Sequence, residues 1–362
     1  MGGLGRSLQV SLVRSGVKVP IIFYKNKEKA EFCTMRTPRS EDDILALLAE
    51  HFPVLHPDLL VGRGDDCAVL RPGGPLAVTC DVFVEDVHFR RRYFSAADIG
   101  HKALAVNLSD VASAGARPTG FMLGLTLTGR EDETWLHGLA EGMAALARRW
   151  GVGLAGGDLA RAAGLHLCVT AWGELPADLV HGLRRARARE GDVVFMLGSP
   201  GLARVGLSLL EAAVGPDEAA AVRAAWPAAC AAHVRPEPLV AEGMVAARLA
   251  ARDPDRFSLM DVSDGLARDI PRLLGGHGAV LELPSDFLPD EVRRYADERG
   301  LDAASFAFEG GEDYALAGTC PPGLWDDVAR ALPSARRLGV VAGREIILNG
   351  CRRSGGGFDH FA

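Results

Sequence analysis

The chain has 362 residues, of which 48% are hydrophobic and 24% charged, and its formal net charge is -7. This composition is typical of a soluble globular protein and not of a disordered one. The acidic balance argues against a nucleic-acid partner, and no apolar run approaches the length of a membrane span. Seven cysteines without a CxxC pair favour reduced thiols, and therefore a cytoplasmic protein, over a disulfide framework.

The length exceeds what one hydrophobic core usually organises, so two domains are expected, with a boundary near Pro176. We predict one domain over 35–176 and a second over 177–362. Residues 1–34 are basic at their start and loosely resemble a transit peptide. A tail, or upstream sequence before a true start at Met35, is the favoured interpretation of that stretch.

Predicted helices and strands alternate from residue 40 onward. Ser40 followed by Asp43 indicates a helix start, two strands run through 62–89, and 95–116 is predicted to be a buried helix. Later segments give a strand at 121–127, a helix at 135–150, a strand at 165–174, a strand with a Gly-rich turn and helix from 191, a strand leading into a helix at 259–274, and a single strand at 336–348. This order predicts α/β domains with mixed sheets.

Acidic residues cluster beside apolar segments, and several of these clusters lie at the ends of predicted strands. The clusters are Asp65 with Asp66, Cys80 with Asp81, NLSD (107–110), GGD (156–158) and DVSDG (261–265). The GGD cluster is expected to form an acidic turn at the end of its strand. All-oxygen ligands suit Mg²⁺ rather than zinc, and Mg²⁺ held by carboxylates usually has phosphate as its remaining partner.

The densest basic run, LRRARARE around Arg184 to Arg189, permits two interpretations. It is either a loop that faces phosphate or a solvated surface, and charge alone favours the surface. Any single aspartate could likewise cap a helix or a turn. That interpretation does not extend to all of the motifs together.

Seven motifs in order resemble the thiamine-monophosphate kinase family: GDDCAVL, VTCD, VEDVHF, HKALAVNLSDVASAGARP, GGD, MDVSDGLARDI and GGEDYAL. The resemblance runs from about residue 40 to the C-terminus. It implies an aminoimidazole ribonucleotide synthetase-like fold, with an N-terminal α/β domain that dimerises through its sheet, a C-terminal α/β domain, and an active site between them. It also implies Mg²⁺-dependent transfer of the ATP γ-phosphoryl group directly to thiamine monophosphate, without a catalytic nucleophile.

The family's functional positions map onto this sequence by motif. The resemblance implies metal ligands at Asp66, Thr79, Cys80, Asp81, Asp110, Asp158, Asp261 and Asp264. It implies contacts to ATP at Gly157, Asp158, Arg185 and Ser263, which reverses the charge-only interpretation of Arg185. It implies contacts to thiamine monophosphate at His88, Glu312 and Phe358.

Two positions depart from the family's pattern. Cys80 stands where Thr or Ser is usual, and a neutral thiol is a poor Mg²⁺ ligand, so either its backbone carbonyl is the ligand or one metal is bound more weakly. Asp86 stands where Gly or another uncharged residue is common. The alternative functions are another ATP-dependent enzyme of the superfamily and a non-catalytic nucleotide or metal sensor on the same fold.

Overall fold

The computed structural model describes residues 40–53 and 56–358, so the predicted tail at 1–34 lies outside the described residues. The helices are α1 (Glu41–His51), α2 (Ala96–Ser113), α3 (Glu133–Trp150), α4 (Leu202–Ala212), α5 (Gly215–Ala225), α6 (Pro227–Val234), α7 (Val240–Ala250), α8 (Leu266–Leu274), α9 (Asp290–Arg299), α10 (Ala303–Glu309) and α11 (Trp325–Ala331).

The strands are β1 (Leu59–Val61), β2 (Val69–Leu70), β3 (Leu76–Val84), β4 (Arg117–Leu127), β5 (Gly153–Arg161), β6 (His166–Glu174), β7 (Val193–Leu197), β8 (Ser258–Val262), β9 (Ala279–Leu281), β10 (Ala315–Cys320), β11 (Arg336–Val341), β12 (Ile346–Leu348) and β13 (Cys351–Arg353). Short 3-10 helices lie at Ser285–Phe287 and Pro322–Leu324. The mixed α/β class predicted from the sequence is confirmed.

A four-stranded sheet has the order β3-β6-β4-β5, with β4 and β5 parallel and the other neighbours antiparallel. Side chains alternate between its faces, as the two-residue period of a strand requires. Phe83 is buried on the face that α2 covers, whereas Val78, Val82 and Met122 are exposed on the other. We call this second surface the open face.

Helix α2 begins with a capping box, in which Ser95 and Asp98 each accept a hydrogen bond from the other's backbone N–H. It packs closely on α3, because a Cβ at Gly100 would lie 2.0 Å from the carbonyl oxygen of Leu139. The same helix contacts β3 and β6 of the four-stranded sheet as well as β8 and α7. α2 therefore carries its polar residues to the place where two sheets approach each other.

The second large sheet has the order β13-β12-β9-β11-β7-β10-β8, and only β9 and β12 run parallel within it. β8 is an edge strand that pairs with β10. α8 follows β8 after Gly265, whose φ of 103° lies in a region that glycine enters more readily than other residues. The strands of one sheet come from 76–174 and those of the other from 193–353. The predicted boundary at Pro176 stays a prediction.

Two details of the sequence interpretation are wrong. The GGD segment does not form a turn, because β5 continues to Arg161 and pairs with β4 through Gly157 and Asp158. The C-terminal run 336–348 forms two strands rather than one, since a turn with Gly343 at φ 61° separates them. Across the described residues, no helix is long and apolar enough to cross a membrane.

Candidate active site

Three carboxylates from three elements meet between the two sheets. Asp81 comes from β3, Asp110 from α2 and Asp261 from the end of β8. Asp110 accepts a hydrogen bond from the Thr79 hydroxyl, and Asp261 lies near enough to influence its pKa. Asn107, one helical turn before Asp110, accepts from the backbone N–H of Asp81 at 3.2 Å and so fixes β3 against α2. We call Asp81, Asp110 and Asp261 the aspartate cluster.

The aspartate cluster is electrostatically strained without a cation. Burial, and then the neighbouring Asp110, raises the pKa of Asp81 to about 6. Burial also raises the pKa of Asp110 and, with Asp110 as the largest neighbouring cause, that of Asp261 well above its ordinary value. Arg185 opposes both effects only weakly, as the last of their causes. A positive charge bound here would stabilise the ionised carboxylates.

The chemistry of these donors fits Mg²⁺. They are hard oxygen ligands, and they lack the His and Cys partners that would select zinc. Among the described residues, no group of three or more His, Cys, Asp or Glu is placed to hold a metal ion by itself. Mg²⁺ commonly binds through one or two carboxylates and completes its shell with water and substrate phosphates. An open cluster of this kind suits a metal that arrives with a phosphate ligand.

A cleft of about 240 Å³ opens on one side of the aspartate cluster. Its wall includes the rings of Phe83, Tyr93, Tyr314 and Phe358, and we call it the aromatic cleft. The predicted substrate residues His88, Glu312 and Phe358 all line this cleft, together with Asp264. The structure therefore brings together residues that lie up to 270 positions apart in the chain.

His88 is held in a defined orientation within the aromatic cleft. Its ring stacks on Phe83, with centroids 5.7 Å apart, and its Nδ1 accepts a hydrogen bond from the backbone N–H of Val84 at 3.0 Å. Since Nδ1 is an acceptor, the ring hydrogen resides on Nε2. His88 is thus built to donate a hydrogen bond from Nε2.

Phe358 reaches the aromatic cleft from the C-terminal segment. Its backbone N–H donates to the Asp264 carbonyl oxygen at 3.0 Å, and its own carbonyl accepts from Arg268. The ring is 49% exposed, so it forms a surface on which a flat ligand can stack.

A second cleft of about 470 Å³ lies on the other side of the aspartate cluster and is lined by Arg184, Arg185 and Arg272. We call it the arginine cleft. It shares Asp110, Asp261 and Ser263 with the aromatic cleft. Arginines suit phosphate oxygens because the planar guanidinium can donate two parallel hydrogen bonds.

Five predicted site residues line neither cleft: Asp66, Thr79, Cys80, Gly157 and Asp158. Asp66 is exposed in the loop before β2, where its backbone N–H donates to Asp65. Gly157 and Asp158 lie on the edge strand β5, and a Cβ at Gly157 would be 1.9 Å from the carbonyl oxygen of Leu123. The close approach of β5 to β4 therefore explains the glycine at position 157 without any contact to ATP.

The thiol of Cys80 points to the open face, away from its strand neighbours Thr79 and Asp81. Its Sγ lies 3.5 Å from Sγ of Cys168 and accepts a hydrogen bond from Thr170 at 3.3 Å. The side chain therefore cannot reach the aspartate cluster. Thr79, one residue earlier, has the opposite orientation and contacts Asp110 directly.

Sequence reasoning missed several residues around the clefts. Arg272 forms ion pairs with Asp264 at 2.6 Å and with the buried Asp269 at 3.0 Å. Its spacing of three from Asp269 on α8 could have indicated the pair. Lys102 and His233 contact Glu312 from α2 and α6. Lys102 lies eight residues before Asp110 and so on the same face of α2, and only this spacing could have indicated that Lys102 is near the site.

Asp86 has a φ of 63°, in the left-handed region that favours glycine. Its backbone N–H donates to the Phe89 carbonyl oxygen at 2.9 Å, which closes the turn that carries His88. This positive φ is a backbone reason for the glycine that is common here in the family's pattern. Asp is among the residues that tolerate this region best.

The chain is similar in sequence to known proteins. Residues 64–175 match the family "AIR synthase related protein, N-terminal domain". The thiamine-monophosphate kinase of Bacillus subtilis (strain 168) is 33% identical over 274 residues, which cover 75% of this chain and 81% of that protein.

Two solved structures share the fold. The thiamine-monophosphate kinase from Stenotrophomonas maltophilia K279a superposes with a TM-score of 0.69 at 31% identity, over 85% of this chain and 95% of that one. The structure of AaThiL complexed with AMPPCP and TMP superposes with a TM-score of 0.65 at 26% identity, over 89% of this chain and 97% of that one.

The fold and the matched domain place the chain among the AIR synthase-related enzymes, and its named relatives are kinases. The named relatives identify the family within that class. The chain belongs to the thiamine-monophosphate kinase family.

Proposed function

We propose that this enzyme transfers the γ-phosphoryl group of ATP to thiamine monophosphate, giving thiamine diphosphate and ADP. One observation carries the proposal: two clefts of opposite character meet at Asp110, Asp261 and Ser263. Direct transfer requires the donor phosphate and the acceptor phosphate to approach in line at one charge-neutralised place. The aspartate cluster is such a place.

The arginine cleft is assigned to ATP. Arg185 lies at its rim, and Ser263 faces it from the turn after β8. We add Arg184 and Arg272 as candidates for the polyphosphate, because both line the same wall. Gly157 and Asp158 keep their assignment to ATP on the strength of the family resemblance alone, since they line neither cleft.

The aromatic cleft is assigned to thiamine monophosphate. His88, with its hydrogen on Nε2, can donate to the acceptor phosphate. Phe358 offers an exposed ring on which the flat cationic thiazolium can stack. Glu312 would contact the organic part of the substrate, because it lies deep in the cleft beside Lys102 and His233.

Mg²⁺ is assigned to Asp81, Asp110, Asp261 and Asp264, with Thr79 positioning Asp110. When bound, Mg²⁺ would neutralise the charge of the phosphates that meet there. Asp66, Thr79 and Asp158 keep their metal assignment from the resemblance. At Cys80 only the backbone carbonyl is compatible with metal binding, because the thiol faces the open face.

No general base is required in this reaction. The acceptor is a phosphate oxygen that is already ionised at neutral pH. The protein's own residues therefore bind and align the two substrates, and none of them forms a covalent intermediate. This agrees with the absence of a candidate nucleophile from the predicted motifs.

The open face supports a homodimer. Val78 and Val82 are 63% and 55% exposed on one sheet surface, and large exposed apolar side chains side by side favour association. Sedimentation velocity should show a dimer that Val82→Glu converts to a monomer. A monomeric parent protein would contradict this proposal.

The division of the chain into 35–176 and 177–362 and a cytoplasmic location also remain proposals.

The decisive assay is formation of thiamine diphosphate by the purified protein from ATP and thiamine monophosphate, with and without Mg²⁺. We expect product only with Mg²⁺, with one ADP formed per thiamine diphosphate. Turnover of ATP to ADP without thiamine diphosphate would point to another ATP-dependent enzyme of the superfamily. Binding of ATP and metal without any turnover would point to a sensor.

A further inference from the structure

The carboxylate of Asp264, a proposed Mg²⁺ ligand, is already paired with cations of the chain itself. Its Oδ2 lies 2.6 Å from Arg272 Nη1 and 3.6 Å from Arg268 Nε. Both arginines belong to α8, which begins two residues after Asp264. The side chain of Asp264 is 24% exposed, so a metal ion that arrives from solvent can also reach it.

The same guanidinium nitrogen binds a second carboxylate, which is buried. Arg272 Nη1 lies 3.0 Å from Oδ1 of Asp269, whose side chain is 0% exposed. The other oxygen of Asp269 accepts the backbone N–H of Asp264 at 3.0 Å. Arg272 and Asp269 are three positions apart on α8 and so lie on one face of the helix. Nη1 therefore occupies a cation position between two carboxylates, one of which is a proposed metal ligand.

These three side chains together carry a net negative charge at neutral pH. Burial, and then the neighbouring Asp264, raises the pKa of Asp269 to about 6, so its carboxyl is still largely ionised at neutral pH. The hydrogen bond to Asp264 raises the pKa of Arg272, so the guanidinium stays charged. Two carboxylates thus outweigh one guanidinium. A net negative charge opposes the binding of a polyphosphate, whereas a divalent cation on Asp264 would reverse its sign.

Arg272 is placed where it can exchange one partner for another. It lines the arginine cleft together with Asp269 and Ser263. Its side chain is 38% exposed, so one flank of the guanidinium is free to turn toward the cleft. A divalent metal and a guanidinium repel each other at this range. Metal bound to Asp264 therefore favours those contacts of Arg272 that point away from it, to Asp269 and to phosphate.

We propose that Arg272 is an internal counter-ion of Asp264, which neutralises this carboxylate in the metal-free enzyme and is displaced toward the polyphosphate when a divalent metal binds there. Asp269 is the positioning residue that keeps the displaced guanidinium at the cleft. The inference rests on the proposed function, because that function assigns Mg²⁺ to Asp264 and ATP to the arginine cleft. Since binding free energies are linked, metal and nucleotide must then strengthen each other's binding through Arg272 by the same factor.

The first test measures Mn²⁺ binding to the nucleotide-free protein by electron paramagnetic resonance, which counts the free Mn²⁺. Arg272→Met keeps an extended side chain but removes the guanidinium. It should tighten Mn²⁺ binding about tenfold, because the competing cation is gone. In an Asp264→Asn background the same substitution should change Mn²⁺ affinity by less than about twofold, since the carboxylate for which the two cations compete is absent.

The second test measures binding of the β,γ-methylene analogue of ATP by calorimetry, with and without Mn²⁺. In the parent protein Mn²⁺ should tighten binding of the analogue, and in Arg272→Met this enhancement should be about tenfold smaller. Arg184→Met is the matched control, because Arg184 lines the same cleft. It should weaken binding of the analogue by the same factor with and without Mn²⁺, and it should leave Mn²⁺ affinity within about twofold.

The outcomes separate this inference from the proposed function. A parent protein that makes no thiamine diphosphate contradicts the proposed function itself. If the parent makes it, unchanged or weaker Mn²⁺ binding in Arg272→Met overturns only the present inference. Equal tightening in Arg184→Met also overturns it, because the effect would then belong to the charge of the cleft as a whole.

A further variant guards the test against poor folding. Arg272→Met leaves the buried Asp269 without its cation, which lowers stability if the carboxylate stays ionised. Arg272→Gln retains an N–H donor for Asp269 and loses only the charge, so it should tighten Mn²⁺ binding in the same direction. If Arg272→Gln folds, as judged by circular dichroism, and binds Mn²⁺ no more tightly than the parent protein, the inference is wrong.

Discussion

The aromatic cleft and the arginine cleft share three residues and otherwise differ in how they are built. The aromatic cleft is lined by rings and by side chains fixed through buried contacts, such as His88 on Phe83 and Glu312 beside Lys102. The arginine cleft is lined by guanidinium groups that are largely solvent-exposed, such as Arg185. Fixed buried groups select a ligand by shape and hydrogen bonding, whereas exposed charges hold a common polyanion with less discrimination.

Because of this difference, we expect the two clefts to have different functions. Selectivity should reside in the aromatic cleft, because its fixed buried groups disfavour a ligand of the wrong shape or hydrogen-bonding pattern. Affinity for nucleotide should reside in the arginine cleft and should weaken with salt, since exposed charges are screened. The aspartate cluster serves both clefts, so changes there should affect both substrates.

The largest effect is expected from Asp110→Asn, at the boundary of the two clefts. Removing this carboxylate should lower kcat on the order of a thousandfold, because Asp110 is proposed to hold the Mg²⁺ that would neutralise the charge of the two phosphates. The thermal midpoint should not fall, since burial already disfavours the ionised form of Asp110. Steady-state kinetics and differential scanning calorimetry measure the two quantities.

The matched control for that variant is Asp290→Asn, because the Asp290 side chain is 92% exposed on α9. It should leave kcat and both KM values unchanged. A loss of activity in Asp110→Asn that comes with a loss of folded protein would contradict a role confined to the reaction.

Arg185→Ala should affect the arginine cleft alone. We expect KM for ATP to rise about tenfold, because a charged hydrogen bond to phosphate is lost, while KM for thiamine monophosphate stays constant. Arg189→Ala, an exposed arginine of the same loop that does not line the cleft, is the control. Equal changes in both KM values would break the distinction between the clefts.

Phe358→Ala should affect the aromatic cleft alone. Loss of stacking on a cationic ring is expected to raise KM for thiamine monophosphate about fivefold, with KM for ATP unchanged. Phe358→Leu keeps apolar bulk without an aromatic face, so it should resemble Ala if stacking matters. If Leu instead behaves like the parent protein, the contact is only hydrophobic.

The smallest effect is expected from Asp86→Gly in the turn that carries His88. A glycine removes the cost of a positive φ of 63°, so the free energy of unfolding should rise by up to about 1 kcal/mol. Urea denaturation measures this change. Asp86→Asn tolerates the same backbone but lacks the charge, so a gain of equal size in Asn would assign the effect to charge and not to backbone strain.

The sequence by itself predicted most of the local structure. The capping signal of Ser40 and Asp43 predicted the start of α1, because a cap is a contact between residues three positions apart. It failed at GGD, where small residues that usually indicate a turn instead continue β5 alongside β4. Pairing with a strand more than thirty residues away overrode the local preference.

The site divides along the same line. Motif spacing pointed to Asp81, Asp110 and Asp261, and the resemblance named His88, Glu312 and Phe358 without showing that they share a cleft. Only the tertiary structure decided that the Cys80 thiol faces away from the aspartates, that Lys102 and His233 support Glu312, and that Arg272 lines the second cleft. These contacts join residues far apart in the chain, and their geometry depends on how α2 and α6 pack and how the sheets pair, which no local pattern encodes.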